Sequence, residues 1–82
     1  MTTITTPRAI REIAADIYDN WPKPYFGAVP YLRAMRSLTT MNNNYHQDGA
    51  EGIVRYFLVN AQTWRGEDAR RIKAELNGML KA

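Results

Sequence analysis

The segment from Trp21 to Tyr31 is unusually rich in proline and aromatic residues. Its eleven residues hold three of the four prolines and four of the nine aromatic residues. Each proline fixes φ and lacks a backbone N–H donor, so this segment cannot form the interior of a helix. Large aromatic side chains usually lie in a core, but they also form the centres of interfaces. The segment is therefore predicted to be a stiff connector that either packs into the core or presents a rigid apolar surface.

Length and composition indicate one small domain that spans residues 1–82, with residues 1–6 as a flexible tail. The chain is 82 residues long and 45% apolar, which is enough to supply a single core. It has no cysteine, which excludes disulfides, cysteine zinc sites and thiol catalysis and fits a reducing compartment. Residues 1–7 lack the basic and apolar regions of a signal peptide. No apolar run is long enough to cross a bilayer, so no membrane contact is expected.

Apolar residues recur at helical spacing in four stretches, which predicts a compact all-α bundle of short helices. Thr6 is a candidate cap for the first helix and Asp48 for the third. Asn42 to Asn44 and Gly66 are candidate helix ends. The predicted helices span about 7–20, 30–41, 48–65 and 67–80, and a short turn at 65–66 is expected to make the last two helices neighbours.

The residues that could carry catalysis are few and are not grouped. His46 is the only histidine and lies in a polar loop, and Ser37, the only serine, has no evident base. Three carboxylates share one face of the first helix, but this face lies opposite the apolar one and is predicted to be solvated; they are Glu12, Asp16 and Asp19. We therefore expect no catalytic residue, no metal site and no cofactor.

The basic residues define one of two candidate binding functions. The net charge is +3, from 11 basic and 8 acidic residues. A nucleic-acid-binding protein needs its basic residues to converge on one face that carries no carboxylates. A helix-turn-helix around Gly66 is disfavoured because its neighbours Arg65 and Glu67 are charged, whereas this motif packs its two helices through apolar residues. The candidate phosphate contacts are Arg33, Arg36, Arg65, Arg70, Arg71 and Lys73.

The aromatic connector defines the other candidate function, which is binding of a protein. Tyr and Trp are enriched at the centres of protein interfaces, although aromatic rings also stack on unpaired bases. We favour a protein partner because the charge asymmetry along the chain is weak. The partner is unidentified, and pairing of two copies in a homodimer is a further alternative. The residues predicted for this surface are Trp21, Tyr25, Phe26 and Tyr31.

Three sequence runs resemble segments of a group of short proteins. The runs are 24–32 (PYFGAVPYL), 61–70 (AQTWRGEDAR) and 73–76 (KAEL). The chain looks like small proteins of actinobacterial phages and prophages that have no assigned activity. This resemblance implies a phage accessory role in the host bacterial cytoplasm, with contacts to a host or phage protein, and it implies no particular functional residues.

Overall fold

The computed structural model describes residues 8–41, 44–45 and 48–81, and it confirms the predicted all-α fold. Within this part of the chain the four helices are α1 (Ile10–Asn20), α2 (Val29–Met35), α3 (Ala50–Val59) and α4 (Glu67–Lys81). Two two-residue strands, β1 (Asn44–Tyr45) and β2 (Asp48–Gly49), precede α3. They pair antiparallel with Asn44 opposite Gly49, and His46 lies outside the described residues.

Helix α1 begins at Ile10, three residues later than the predicted start at Pro7. Its first two N–H groups donate to carbonyls of the chain after α2: Ile10 to Thr39 and Arg11 to Leu38. The Glu12 carboxylate accepts a hydrogen bond from the Ala9 N–H. The start of α1 is therefore fixed by a tertiary contact and by Glu12, whereas the predicted cap Thr6 lies outside the described residues.

Helix α2 ends at Met35, six residues before the predicted end at Met41. After Met35 the hydrogen bonds shorten to three-residue steps, from the Ser37 N–H to Ala34 and from the Leu38 N–H to Met35. The carbonyl of Leu38 is then used by α1 rather than by a continuing helix. The predicted terminators Asn42 and Asn43 lie outside the described residues, and Asn44 belongs to β1.

Helix α3 is shorter at both ends than predicted. Gly49 occupies the N-cap position, so Asp48 lies one residue too early to be the predicted cap. The helix ends at Val59, where the Asn60 side chain donates to the Tyr56 carbonyl and the backbone tightens into turns. The connection to α4 therefore spans residues 60–66 rather than a tight turn at 65–66, which also removes helix-turn-helix geometry. The two helices still pack on each other, as expected.

Helix α4 begins at the predicted residue, Glu67, directly after a glycine with a left-handed backbone. The φ of Gly66 is +113°, a value that costs little only for glycine. The helix continues to Lys81, one residue beyond its predicted end. Gly66 therefore turns the chain into α4 and does not terminate α3.

The helices enclose a single apolar core. Helix α1 packs on α2 and α4, and α3 packs on the same two helices. The indole rings of Trp21 and Trp64 stack with centroids 5.3 Å apart, and Phe57 meets Trp21 edge-on. This cluster joins the end of α1 to the connection between α3 and α4. No helix in the described part of the chain combines the length and apolar character needed to cross a bilayer.

Candidate functional site

The predicted aromatic residues divide between the core and the surface. Trp21 is only 8% exposed and belongs to the core, so it cannot be part of an accessible surface. Tyr31 is half-buried against the core. Tyr25 and Phe26 are 43% and 79% exposed, and their rings lie against each other with centroids 4.8 Å apart. The connector therefore does both things that its composition allows, because one end packs into the core and the middle faces solvent.

Hydrogen bonds and a close backbone approach fix the exposed part of the connector. The Ala28 N–H donates to the Tyr25 carbonyl at 2.8 Å and the Val29 N–H donates to the Phe26 carbonyl at 3.3 Å. A β-carbon on Gly27 would lie 2.8 Å from the Asn60 side-chain oxygen, so the connector lies directly against the end of α3. The exposed rings of Tyr25 and Phe26 are therefore carried on a supported turn.

An apolar groove lies between α2 and α3. Its volume is about 330 Å³. The rings of Tyr31 and Tyr56 stack with centroids 5.7 Å apart, and small residues leave open space beside them. The lining residues are Pro30, Tyr31, Ala34, Gly49, Gly52, Ile53 and Tyr56. We name this groove, together with the exposed Tyr25, Phe26 and Val59, the aromatic surface.

Two large exposed apolar residues of the aromatic surface were not identified from the sequence. Tyr56 and Val59 are 60% and 62% exposed on α3. The signal was present, because both lie off the apolar stripe that Ile53, Val54 and Phe57 bury. Apolar residues outside the buried stripe of an amphipathic helix indicate a second apolar face.

Three of the six predicted phosphate-contacting residues line a second cavity. Arg65, Arg70 and Lys73 surround about 360 Å³ beside Gly66 and Ala69, and we name this site the basic pocket. The Lys73 ammonium donates a 2.6 Å hydrogen bond to the Trp64 carbonyl and lies 6.0 Å from the centroid of the Trp64 ring. Burial, and then the positive charge of Arg65, lower the pKa of Lys73.

The other three predicted phosphate contacts lie elsewhere. Arg71 points to α1, where it pairs with Asp16 at 3.0 Å, and it also pairs with Asp68. Arg33 and Arg36 lie on α2 and at its end, and the Arg36 guanidinium lies over the Tyr18 ring. The six residues therefore do not form one surface.

Asp16 is the exception to the predicted solvated face of α1. Its side chain is 19% exposed and accepts hydrogen bonds from Arg8 and Arg71, and Arg8 also pairs with Glu75. The hydrogen bond from Arg71, followed by that from Arg8, lowers the pKa of Asp16. Glu12 and Asp19 are exposed, as predicted. The carboxylate that was expected in solvent is instead the centre of the contact between α1 and α4.

Ser37 is exposed at the turn after α2. Within residues 8–41, 44–45 and 48–81, no group of three His, Asp or Glu side chains could hold a metal ion.

No protein family, no curated protein and no solved structure matches this chain.

Proposed function

We propose that this protein is a non-enzymatic binding module whose aromatic surface holds an apolar segment of another protein. The observation that carries the proposal is the combination of a 79%-exposed Phe26, three residues before the start of α2, with the apolar groove between α2 and α3. The resemblance to short phage and prophage proteins adds the setting: a partner of phage or host origin in a bacterial cytoplasm.

The chemistry of the aromatic surface favours an apolar side chain as the bound group. Exposed apolar residues that lie together mark interaction sites more often than single ones do. Tyrosine rings supply large contact areas at low conformational cost, and Tyr31 and Tyr56 flank the groove. Ala34, Gly49 and Gly52 project little beyond the backbone, so an aliphatic side chain of the partner can enter between the two helices.

The supported turn of the connector favours binding without rearrangement. The Val29 N–H donates to the Phe26 carbonyl and the Ala28 N–H donates to the Tyr25 carbonyl, so the backbone that carries both rings is fixed. A surface that is ordered before binding loses less conformational freedom on association. Phe26 is therefore the residue whose truncation should weaken binding most.

The size of the aromatic surface favours a short segment over a second copy of the chain. A stable dimer usually buries about 800 Å² per partner, from about 20–30 residues a side. The aromatic surface has about ten residues, several of them small. Binding of a peptide-sized segment fits this area, whereas a homodimer needs additional contacts.

Selection from a displayed random-peptide library tests the proposal. The purified protein is the target, and a Phe26→Ser/Tyr56→Ser double variant is used to remove peptides that bind elsewhere. We expect enriched peptides to share an apolar anchor residue. Titrated into ¹⁵N-labelled protein, they should shift the amide signals of Ala34, Gly52 and Tyr56.

Single variants then identify the contacts. Phe26→Ser should weaken peptide binding at least about tenfold, since a central interface residue contributes about 2 kcal/mol or more. Phe26→Tyr keeps the ring and should keep the affinity. Sedimentation at two protein concentrations completes the test. A Phe26-dependent dimer would assign the surface to a second copy, and peptides that shift only other residues would reject the proposal.

A further inference from the structure

The charges of α4 are sorted onto two sides of the helix. Arg71 pairs with Asp68 of the same helix and with Asp16 of α1. Glu75 pairs with Arg8, which precedes α1. Arg70 and Lys73 lie on the side that faces the connection from α3, next to Arg65. Asp16, Asp68 and Glu75 therefore neutralise Arg8 and Arg71 at the α1 contact, and none of these three carboxylates pairs with a cation of the basic pocket.

The basic pocket has no carboxylate in its lining. Its residues are Trp64, Arg65, Gly66, Ala69, Arg70 and Lys73. Within the part of the chain that the structure describes, neither Arg65 nor Arg70 forms an ion pair. Like charges held around one cavity repel one another, and an anion placed between them removes this repulsion.

Lys73 is positioned for an anion by contacts that leave donors available. An ammonium group has three N–H donors, and the bond to the Trp64 carbonyl uses one of them. That bond and the Trp64 ring hold the ammonium at the wall of the cavity. The lowered pKa of Lys73 agrees with a partly desolvated cation beside another positive charge.

We propose that the basic pocket binds the phosphate group of a phosphomonoester. A phosphomonoester carries a charge of about −1.5 to −2 at neutral pH and three strong acceptor oxygens. Arg65, Arg70 and Lys73 supply guanidinium and ammonium donors around one cavity of about 360 Å³. The basic pocket shares no lining residue with the aromatic surface, so this proposal can be tested independently of the proposed protein partner.

The arrangement of cations favours a terminal phosphate over a nucleic-acid backbone. A backbone is a line of phosphates, and it is held by cations along an extended surface. Here Arg71 is paired with Asp16, while Arg33 and Arg36 belong to α2 and its end. One compact group of three cations matches one phosphate group.

Isothermal titration of the full chain with phenyl phosphate, inorganic phosphate and phosphoserine tests the proposal, at constant ionic strength and with chloride as the reference anion. We expect saturable binding of the phosphomonoesters. Preference for phosphoserine over phenyl phosphate would support the proposal and assign the site to a modified protein. Tighter binding of inorganic phosphate than of either monoester would overturn it, as would an absence of saturable binding.

Matched charge variants separate the pocket from a general effect of net charge. Arg65→Gln and Arg70→Gln should each weaken phenyl phosphate binding at least about fivefold, the loss of one charge-assisted hydrogen bond. Arg33→Gln makes the same charge change at an exposed site outside the pocket and should leave the affinity unchanged. Equal weakening in all three variants would overturn the proposal.

The last experiment measures binding of short duplex DNA and of single-stranded RNA by fluorescence anisotropy. Binding of either nucleic acid more tightly than phenyl phosphate, with a steep dependence on salt, would contradict a phosphomonoester site and support a backbone contact. The alternative outcome is that nucleic acid binds weakly and that Arg33→Gln and Arg70→Gln reduce its affinity equally. That result would identify a nonspecific effect of net charge on nucleic-acid binding, and it would support a basic pocket that is selective for phosphomonoesters.

Discussion

At the scale of single residues, two glycines of the same chain should respond in opposite ways to alanine. Gly66 has a φ of +113°, which a β-carbon disfavours, so Gly66→Ala should lower the free energy of unfolding by about 1–2 kcal/mol. Gly78 lies inside α4 with open space around its β-carbon position, so Gly78→Ala should raise it by about 0.5–1 kcal/mol. Urea unfolding followed by circular dichroism measures both, and a shared sign would contradict the assigned backbone conformations.

Gly27 is constrained by close approach rather than by its φ. A β-carbon there would lie 2.6 Å from a Tyr25 ring carbon and 2.8 Å from the Asn60 side-chain oxygen. Gly27→Ala should therefore displace one of these side chains and cost about 1 kcal/mol of stability. Amide shifts in an NMR spectrum should move at Tyr25, Phe26 and Asn60. A variant with unchanged shifts would show that the connector does not lie against the end of α3.

Residue spacing predicted the core more completely than it predicted the surface. The apolar stripe of α1 is buried as expected, with Ile10, Ile13 and Ile17 at the centre. The same spacing extends from Ile17 to Trp21, which is buried. It gives no information on Phe26, because no periodicity applies in a proline-rich connector and the path of the chain decides which ring is covered. The groove beside Tyr56 needed the relative placement of α2 and α3, which no local pattern contains.

At the scale of elements, the contact between α1 and α4 should make stability depend on pH. Hydrogen bonds from Arg71 and then Arg8 hold the pKa of Asp16 below its ordinary value. In the unfolded chain the pKa returns to about 4, so the stabilisation is present above about pH 4 and is lost as the pH falls towards the folded-state pKa. Urea midpoints should decrease below about pH 4, and Asp16→Asn should flatten this decrease.

Asp19→Asn is the matched control for this measurement. Asp19 lies on the same helix, is exposed and forms no ion pair among the described residues. The variant should keep the acid-induced decrease that Asp16→Asn removes. If both variants keep the decrease, the ion pairs of Asp16 do not contribute to stability.

The ends of the helices show where sequence patterns stop being sufficient. The start of α4 was predictable, because the acidic residues of its first turn are a local signal. The end of α2 was not, because the carbonyls of Leu38 and Thr39 serve the N–H groups of α1, about 28 residues away in the sequence. A helix end that is set by a partner element leaves no mark in the apolar spacing of its own helix.

At the scale of the whole molecule, the single core predicts that the chain unfolds as one unit. Trp21 and Trp64 stack between the end of α1 and the connection from α3 to α4, so their fluorescence reports on the centre of the fold. Circular dichroism reports on all four helices. Since one core joins these parts, the two urea transitions should coincide.

Truncation of a core side chain on α2 tests the same prediction from another helix. Leu32 is fully buried on α2, and Leu32→Ala should cost about 2–5 kcal/mol, because the surrounding side chains only partly fill the space that it leaves. The urea midpoint measured by tryptophan fluorescence should fall by the same amount as the midpoint measured by circular dichroism, although both tryptophans lie outside α2. If the midpoint measured by circular dichroism falls while the midpoint measured by tryptophan fluorescence is unchanged, α2 unfolds separately from the Trp21–Trp64 cluster. The part of the aromatic surface that α2 supplies, Pro30, Tyr31 and Ala34, would then lie on the less stable part of the molecule.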